Sequence, residues 1–248
     1  TLQSSSSPEP SPAVVLSIVV PIYNEEECIV PFCEELDRVL DGLTHETEVI
    51  LVDDGSTDAT PEILAAQVSS RSRFRSLRLE PNAGQSAAMG EGFNAARGEV
   101  VVTLDADGQN DPADIPRLLE ALPEVDMCCG YRAVRKDSVA KRIGSWFGNT
   151  IRNRMLGEEI RDTGCTLKAV KIQYVRDLMM FDGLHRFLPA LVRMQGGTLC
   201  QIPVNHRPRT AGQSKYTNFG RLKKVGADLK AVAWMRRRYP RYEVTHHE

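Results

Sequence analysis

The segment Val100-Val101-Val102-Thr103-Leu104-Asp105-Ala106-Asp107-Gly108-Gln109 joins an apolar run to three oxygen-bearing side chains. The run predicts a buried strand, and Asp105, Asp107 and Gln109 follow at alternating positions where that strand ends. If the backbone stays extended, alternation directs all three side chains to one side. Two converging carboxylates repel each other without a cation, so the pattern favours a hard divalent metal that also binds phosphate oxygens. The alternative is that one aspartate caps the helix beginning near Asp111 and the other is solvated.

Other strands are predicted along the chain, and the two earliest also end in polar side chains. Apolar strands are predicted at 16–23, 48–52, 76–80, 100–104 and 126–130, with helices between them. Such alternation predicts an α/β fold, a Rossmann-like and mostly parallel sheet with helices on both faces. Ligands of these sheets bind beyond the carboxyl ends of the strands. The residues that fall at such ends are Tyr23, Glu25, Asp53, Asp54, Asp105 and Asp107.

Length and composition fit one compact domain. The chain has 248 residues, of which 42% are hydrophobic, enough to bury a substantial core. The Ser- and Pro-rich stretch at residues 1–13 predicts a disordered tail. The six cysteines have no zinc-like spacing, which favours a reduced, cytosolic setting.

The net charge of −2 conceals a separation of charge along the chain. Residues 1–131 hold 24 acidic and 7 basic side chains, whereas residues 132–248 hold 9 acidic and 24 basic ones. The basic side chains concentrate in segments 132–154 and 207–241. Such segments attract phosphorylated substrates, anionic lipids or nucleic acids. Nucleic acid is disfavoured because no recognised nucleic-acid-binding motif accompanies the bases.

Two amphipathic helices are predicted within these basic segments. The first begins at Ser138, presents Val139, Ile143, Trp146, Phe147, Thr150 and Ile151 on one face, and is flanked by Lys141, Arg142 and Arg152. The second follows Tyr216, repeats Phe219, Leu222, Val225, Leu229, Val232 and Ala233 at helical spacing, and ends in Trp234-Met235-Arg236-Arg237-Arg238. Aromatic residues beside bases are typical of helices at a membrane interface, but the same pattern also fits a helix packed on the core.

Five motifs, taken together, resemble those of inverting family 2 glycosyltransferases with the GT-A fold. In chain order they are Val20-Pro21-Ile22-Tyr23-Asn24-Glu25, Val52-Asp53-Asp54-Gly55-Ser56-Thr57-Asp58, Asn82-x-Gly84, Asp105-Ala106-Asp107-Gly108-Gln109 and Arg209-Thr210-Ala211-Gly212-Gln213-Ser214-Lys215-Tyr216. The last motif resembles the branch of dolichyl-phosphate mannose synthases and polyprenyl-phosphate glycosyltransferases. The resemblance implies a GT-A catalytic domain at 14–216, followed by a basic amphipathic helical extension at 217–248.

The resemblance also implies a role for each matching residue. Nucleotide binding is implied for Pro21, Tyr23, Glu25, Asp53, Asp54 and Asp105, and coordination of Mg²⁺ or Mn²⁺ for Asp105, Asp107 and Gln109. Catalytic roles are implied for Asp107, Arg132, Arg209 and Lys215, the last two on a mobile loop that closes over the phosphates. The segment 161–165 corresponds to the start of the acceptor side.

The implied reaction moves a hexose from GDP-mannose, or from a UDP-sugar such as UDP-glucose, to dolichyl or undecaprenyl phosphate. A divalent metal and basic side chains neutralise the leaving diphosphate, and the acceptor phosphate is already an anion that needs no strong base. The charge separation is explained if the acidic half binds the metal–nucleotide complex and the basic half binds the lipid phosphate. The resemblance further implies peripheral contact with an anionic membrane at its cytoplasmic face, and no nucleic-acid partner.

Two alternatives stay open at this point: a non-catalytic scaffold that binds sugar nucleotides, and a family 2 transferase with a hydroxyl acceptor. A processive polysaccharide synthase is disfavoured because no Gln-x-x-Arg-Trp segment is present. A response-regulator receiver is disfavoured because Asp53 and Asp54 follow the second strand rather than the first. The absence of transmembrane segments after residue 216 favours peripheral attachment or an excised catalytic domain.

Overall fold

The computed structural model describes residues 16–133, 139–208 and 218–240, with side chains described outside 139–147 and 218–224. The strands are β1 Leu16–Ile22, β2 Thr47–Asp53, β3 Phe74–Arg78, β4 Val100–Thr103, β5 Met127–Arg132, β6 Lys168–Lys171 and β7 Leu199–Val204. The helices are α1 Ile29–Asp41, α2 Thr60–Ser70, α3 Gln85–Ala95, α4 Ile115–Ala121, α5 Val139–Leu156, α6 Leu188–Met194 and α7 Asn218–Arg238. The predicted tail at 1–13 lies outside the described residues.

The strands form one sheet in the order β3-β2-β1-β4-β6-β5-β7. All pairings are parallel except those of β6, which runs antiparallel to both β4 and β5. The predicted mostly parallel α/β fold is therefore confirmed. Neither β6 nor β7 was predicted. β6 has only four residues, too few to show a period, and β7 lies at an edge of the sheet, where its Pro203 is tolerated.

Helices cover both faces of the sheet, as the alternation predicts. On one face Ile18, Val20 and Ile22 of β1 pack with side chains of α1 and α4. On the other face Val19 of β1 packs with side chains of α3, α6 and α7. Helix α3 approaches β1 so closely that a Cβ at Gly92 would clash with a Val19 methyl group. Two packed layers thus hold the strand ends in fixed positions.

The order of the strands creates a crevice. The chain leaves β1 toward β2 on one side and returns to β4 on the other, so the winding reverses between β1 and β4. In open α/β sheets ligands bind at such a switch point, beyond the carboxyl ends of the strands. Ile22 and Thr103 are the last residues of these two strands, and the predicted site residues follow them.

The two helices predicted in the basic segments are both present, but they differ in what they bury. In α5, Arg152 is buried, whereas Thr150 and Ile151, expected on the apolar face, are exposed; the side chains of Trp146 and Phe147 are not described. In α7, Leu229, Val232 and Ala233 are buried against the core, so this part of its apolar face packs on the domain. Among the residues that the structure describes, no helix combines the length and apolar character needed to span a bilayer.

Candidate functional site

A cavity of about 630 Å³ lies at the carboxyl ends of β1 and β4, and we call it the strand-end cavity. Its lining includes eight of the residues singled out from the sequence, namely Pro21, Tyr23, Glu25, Asp54, Asp105, Asp107, Gln109 and Arg132. Residues more than a hundred positions apart in the chain therefore meet at one site. Arg209 and Lys215 lie outside the described residues.

Asp105 and Asp107 reach the cavity through a bend rather than through an extended strand. β4 ends at Thr103, and the chain turns over 106–108, where Gly108 has a φ of +74°. The premise that an extended backbone would align the three side chains is therefore wrong, although they do line one cavity. The turn is stabilised by the backbone N–H of Gln109, which donates to Asp107 Oδ1 at 3.0 Å.

Asp105 is held from two sides. Its Oδ1 accepts a hydrogen bond from Gln85 Nε2 at 2.8 Å, and its Oδ2 accepts one from Thr166 Oγ1 at 2.9 Å. Gln85 begins α3 and Thr166 precedes β6, so two separate elements set the orientation of this carboxylate. Neither Gln85 nor Thr166 was assigned a role from the sequence, because both partners are distant along the chain.

The donor set fits a hard divalent cation. The carboxylates of Asp105 and Asp107 and the side-chain amide of Gln109 belong to residues that line the same cavity. Carboxylate and amide oxygens are ligands that Mg²⁺ accepts. Within the described ranges, no group of three or more His, Cys, Asp or Glu side chains is placed to hold a metal ion.

Asp54 braces the loop that leads into α3. Its carboxylate accepts from Asn82 Nδ2 at 2.9 Å and from the backbone amides of Ala83 at 2.8 Å and Gly84 at 2.9 Å. Burial raises the pKa of Asp54, while these hydrogen bonds oppose the increase. Gly84 has a φ of +92°, a conformation that glycine adopts without strain. The motif Asn82-x-Gly84 therefore shapes one wall of the cavity.

Asp53 is not among the residues that line the strand-end cavity. It is buried, and its carboxylate accepts from Arg78 Nη1 at 2.6 Å and from the Ser56 amide at 2.9 Å. These contacts tie the end of β2 to β3 and to the following turn. Its implied contact with the nucleotide stays a prediction.

Arg132 is held by a carboxylate that the sequence did not identify as its partner. Asp162 accepts from Arg132 Nε at 2.6 Å and from Nη2 at 2.9 Å, and it also accepts the amides of Arg132 at 3.2 Å and Gly164 at 3.1 Å. A two-pronged pair of this kind fixes both the position and the plane of a guanidinium. The side chain of Arg132 is 21% exposed and that of Asp162 only 4%.

A second cavity of about 850 Å³ lies next to the first, and we call it the helix-side cavity. Its lining combines polar groups of Asn149, Asn153 and Arg161 with apolar side chains of Phe187 and Leu229. The two cavities share Arg132, Thr163 and Gly164 as lining residues. They therefore meet at Arg132, whose guanidinium Asp162 holds in place.

A buried ion pair forms part of the helix-side cavity. Arg152 Nη1 lies 2.8 Å from Glu158 Oε2, and the guanidinium carbon lies 5.7 Å from the centre of the Phe187 ring. Burial lowers the pKa of Arg152 and raises the pKa of Glu158. The sequence predicts Arg152 as a basic residue flanking the apolar face of this helix, which could lie on a membrane or pack on the core. Arg152 anchors α5 to the domain, because the carboxylate that follows the helix turns back to meet it.

Two histidines also lie near the site. His185 lines the strand-end cavity beside Arg186. The backbone of His206 pairs with Asn110, and burial, aided by the positive charge of Arg132, lowers the pKa of the His206 imidazole. A histidine without a spacing motif carries no signal in a single sequence, so neither could have been assigned.

Comparison with known proteins gives one family and one fold. Residues 17–179 match the Glycosyl transferase family 2 domain. The chain is 37% identical over 235 residues to the dodecaprenyl-phosphate galacturonate synthase of Rhizobium johnstonii, covering 92% of this chain and 69% of that protein. It is 36% identical over 204 residues to the undecaprenyl-phosphate 4-deoxy-4-formamido-L-arabinose transferase of Edwardsiella ictaluri, covering 81% of this chain and 62% of that protein.

The structure also resembles solved GT-A enzymes. The glucosyl-3-phosphoglycerate synthase of Mycobacterium tuberculosis, solved with Mn²⁺, UDP and glucosyl-3-phosphoglycerate, superposes with a TM-score of 0.66 at 19% identity. The match covers 92% of this chain and 81% of that one. At this identity the likeness establishes a shared fold.

Proposed function

Since the chain belongs to glycosyltransferase family 2, we propose that it transfers a sugar from a nucleotide-diphosphate sugar to a polyprenyl phosphate. The observation that carries the proposal is the meeting of the strand-end and helix-side cavities at Arg132. The strand-end cavity offers carboxylates for a metal–nucleotide complex, and the helix-side cavity offers basic and apolar groups for a lipid phosphate. The names of both relatives given above include a polyprenyl phosphate.

The strand-end cavity is assigned to the donor. Asp105, Asp107 and Gln109 would hold Mg²⁺ or Mn²⁺, which when bound neutralises charge on the diphosphate leaving group. Pro21 and Tyr23 would border the nucleotide, and the Asp54-braced loop lines the same cavity. Since a metal held here would neutralise the diphosphate, donor binding is expected to require the metal.

The helix-side cavity is assigned to the acceptor. Arg132 and Arg161 supply positive charge for the phosphate, and Phe187, Val225 and Leu229 supply an apolar surface for the first isoprene units. Arg161 is positioned by Tyr131, whose hydroxyl oxygen accepts from Arg161 Nη1 at 3.1 Å. A guanidinium suits a phosphate because its parallel N–H groups bind two oxygens at once.

The step that follows is a single displacement. A phosphate oxygen of the acceptor attacks the anomeric carbon from the helix-side cavity, and the bond to the nucleoside diphosphate breaks on the opposite side, which inverts the configuration. Arg132 lies where the two cavities meet, so its charge would orient the acceptor phosphate and stabilise the negative charge that develops on the departing diphosphate oxygen. Most of the barrier is lowered by holding the two reactants in line.

A matrix of donors and acceptors tests this function. Purified protein is incubated with GDP-mannose, UDP-glucose or UDP-galacturonic acid, with a short polyprenyl phosphate or the corresponding polyprenol, and with Mg²⁺, Mn²⁺ or excess EDTA. The proposal expects transfer to the phosphate with at least one donor, lost in EDTA. Transfer to the polyprenol would instead favour a hydroxyl acceptor, and nucleotide binding without turnover would favour a scaffold.

We further propose that one face of α7 lies on an anionic membrane at its cytoplasmic side. Lys230, Trp234 and Arg238 recur every fourth residue and so form a line along the helix, turned away from the buried Leu229 and Val232. The Trp234 side chain is 59% exposed, and the guanidinium carbon of Arg238 lies 5.3 Å from its ring centre. An exposed indole between bases suits lipid headgroups that carry negative charge. This face belongs to the proposed extension at 217–248.

Vesicle co-sedimentation tests the α7 face. Wild-type protein should bind vesicles containing phosphatidylglycerol more strongly than neutral phosphatidylcholine vesicles, and less at high salt. Lys230→Glu should weaken binding about tenfold, because each base near such a surface contributes roughly 1 kcal/mol and the reversal adds repulsion. Arg38→Glu makes the same charge change at an exposed position of α1, a helix that covers the opposite face of the sheet. This variant should leave binding unchanged. Equal effects of both variants would contradict the assignment.

A further inference from the structure

A buried lysine forms part of the wall of the strand-end cavity. Lys168 is the first residue of β6, is only 3% exposed, and lines this cavity together with Asp105 and Asp107. Its ammonium group donates to the backbone carbonyl of Cys165. Among the residues that the structure describes, this carbonyl is the one hydrogen-bond acceptor of the ammonium, and no carboxylate forms an ion pair with it. A positive charge is therefore enclosed in the cavity wall with a single neutral partner.

Lys168 differs in this respect from other charged side chains of the fold. The buried Arg152 meets Glu158 at 2.8 Å, and Lys171, on the same strand as Lys168, meets Asp126 at 2.9 Å. Burying a charge without a counter-charge is costly. An ammonium group has three N–H donors, so the single carbonyl leaves two of them for other acceptors. An anion bound in the cavity would supply both the counter-charge and the acceptors.

A short series of contacts joins Lys168 to the carboxylate of Asp105. Cys165, which accepts from the ammonium, directly precedes Thr166, whose hydroxyl donates to Asp105 Oδ2 at 2.9 Å. In the sheet, Lys168 pairs with Thr103, the last residue of the strand that leads to Asp105. Lys168 is not among the described residues that line the helix-side cavity. It therefore belongs to the cavity assigned to the donor, on the elements that also support Asp105.

We propose that the Lys168 ammonium binds a phosphate oxygen of the donor's nucleoside diphosphate. The inference rests on the proposed function, which assigns the strand-end cavity to the donor. A diphosphate has several negatively charged oxygens, and a lysine binds phosphate as a compact positive charge. When the bond to the sugar breaks, negative charge increases on the departing diphosphate, so the same contact stabilises that charge.

Thermal unfolding and calorimetry separate this role from a structural one. Lys168→Gln removes the charge but keeps an N–H that can donate to the Cys165 carbonyl. Without nucleotide, this variant should melt at or above the wild-type temperature, because an unpaired buried charge has been removed. Its calorimetric affinity for UDP or GDP, whichever the wild type binds with Mg²⁺, should fall about ten- to hundredfold, the range for a hydrogen bond to a charged group. The rise in melting temperature that the nucleotide causes should shrink accordingly.

Two further variants complete the test. Lys168→Met, which has nearly the same length and no donor, should bind the nucleotide as weakly as Lys168→Gln, and it keeps the test valid if the glutamine variant does not fold. Lys171→Gln makes the same charge change on the same strand, at a residue that pairs with Asp126 and does not line the cavity. This control should lower the melting temperature slightly and leave nucleotide affinity unchanged.

The outcomes are distinct. Unchanged nucleotide affinity in both variants of Lys168 would overturn its role, as would a loss of affinity accompanied in both by a lower melting temperature without nucleotide. A loss of affinity confined to farnesyl phosphate, titrated in parallel, would assign the ammonium to the acceptor and overturn the donor contact. Each of these results leaves the proposed function standing. Wild-type protein that binds neither UDP nor GDP would overturn the proposed function itself, and this role with it.

Discussion

Replacing Asp162 with asparagine tests the junction between the two cavities. The substitution keeps the volume of the side chain but removes its charge and one of the oxygens that accept from the Arg132 guanidinium. The carboxamide introduced by Asp162→Asn would still accept a backbone amide at its single oxygen. Arg132 would keep its charge but lose the partner that fixes its plane.

The expected magnitude follows from the geometry and the exposure. A hydrogen bond to a charged group contributes about 1.5–3 kcal/mol, and the pair here has two, at 2.6 and 2.9 Å. Arg132 is 21% exposed, so water compensates part of the loss and the full penalty of a broken buried pair is not reached. We expect the free energy of unfolding to fall by about 2 kcal/mol, which for a domain of this size lowers the melting temperature by roughly 4–8 °C. The kcat/KM for sugar transfer should fall about 10²-fold, as expected for a displaced catalytic group.

Glu48→Gln is the matched control. Glu48 is another buried carboxylate, and it accepts from Ser17 Oγ at 2.6 Å, from the Arg97 amide at 2.6 Å and from Arg75 Nε at 2.9 Å. It lies at the opposite, amino-terminal end of the strands, so its loss should lower stability to a similar extent without changing transfer. Thermal unfolding and steady-state transfer rates are measured for both variants. If Asp162→Asn loses stability but transfers sugar at the wild-type rate, the role of Arg132 at the junction is refuted.

Three further predictions concern other parts of the chain. Asp107→Ala should abolish transfer and remove the metal-dependent part of nucleotide binding in calorimetry; full activity of this variant, or of the wild type in excess EDTA, would contradict the metal assignment. Lys215→Ala and Arg209→Ala should lower transfer to lipid phosphate severely while changing nucleotide affinity without acceptor much less, and near-normal transfer rates would remove the proposed clamp. Hydrogen bonds from the Thr198 backbone and from Lys171 lower the pKa of Asp126 from 3.8 to about 2; the ionised carboxylate therefore stabilises the fold above about pH 4, and this contribution is lost as the pH falls toward 2. Asp126→Asn should flatten the pH dependence of the melting temperature in that range, and an unchanged profile would count against the assignment.

Much of the fold could be predicted from local patterns in the sequence. The apolar runs that lead to Tyr23, Asp53 and Asp105 are strong signals because a buried parallel strand is apolar along its whole length, and ligands of such sheets bind beyond the strand ends. Tyr23 and Asp105 do line the strand-end cavity, whereas Asp53 does not. These features do not depend on distant partners. The α/β class, the mostly parallel sheet and the grouping of site residues at strand ends were therefore accessible from the sequence.

Other features depend on partners far along the chain. Asp162 becomes the partner of Arg132 only because β5 and the segment before β6 lie side by side, and Arg152 is buried only because Glu158 turns back toward α5. Nothing in the local sequence distinguishes these charged residues from solvated ones. Likewise, the bend at 106–108 follows from Gly108 and from the Asp107–Gln109 hydrogen bond rather than from strand alternation.

The most direct test of sugar transfer between the two cavities is the structure of the lipid product. The donor found active in the matrix is incubated with a polyprenyl phosphate whose non-bridging phosphate oxygens carry ¹⁸O, and the product is examined by mass spectrometry and NMR. We expect a polyprenyl-phosphate sugar with ¹⁸O between phosphorus and the anomeric carbon, an inverted anomeric configuration and an unlabelled nucleoside diphosphate. A product with retained configuration, label in the nucleoside diphosphate, or no lipid-linked sugar with any donor would contradict this expectation.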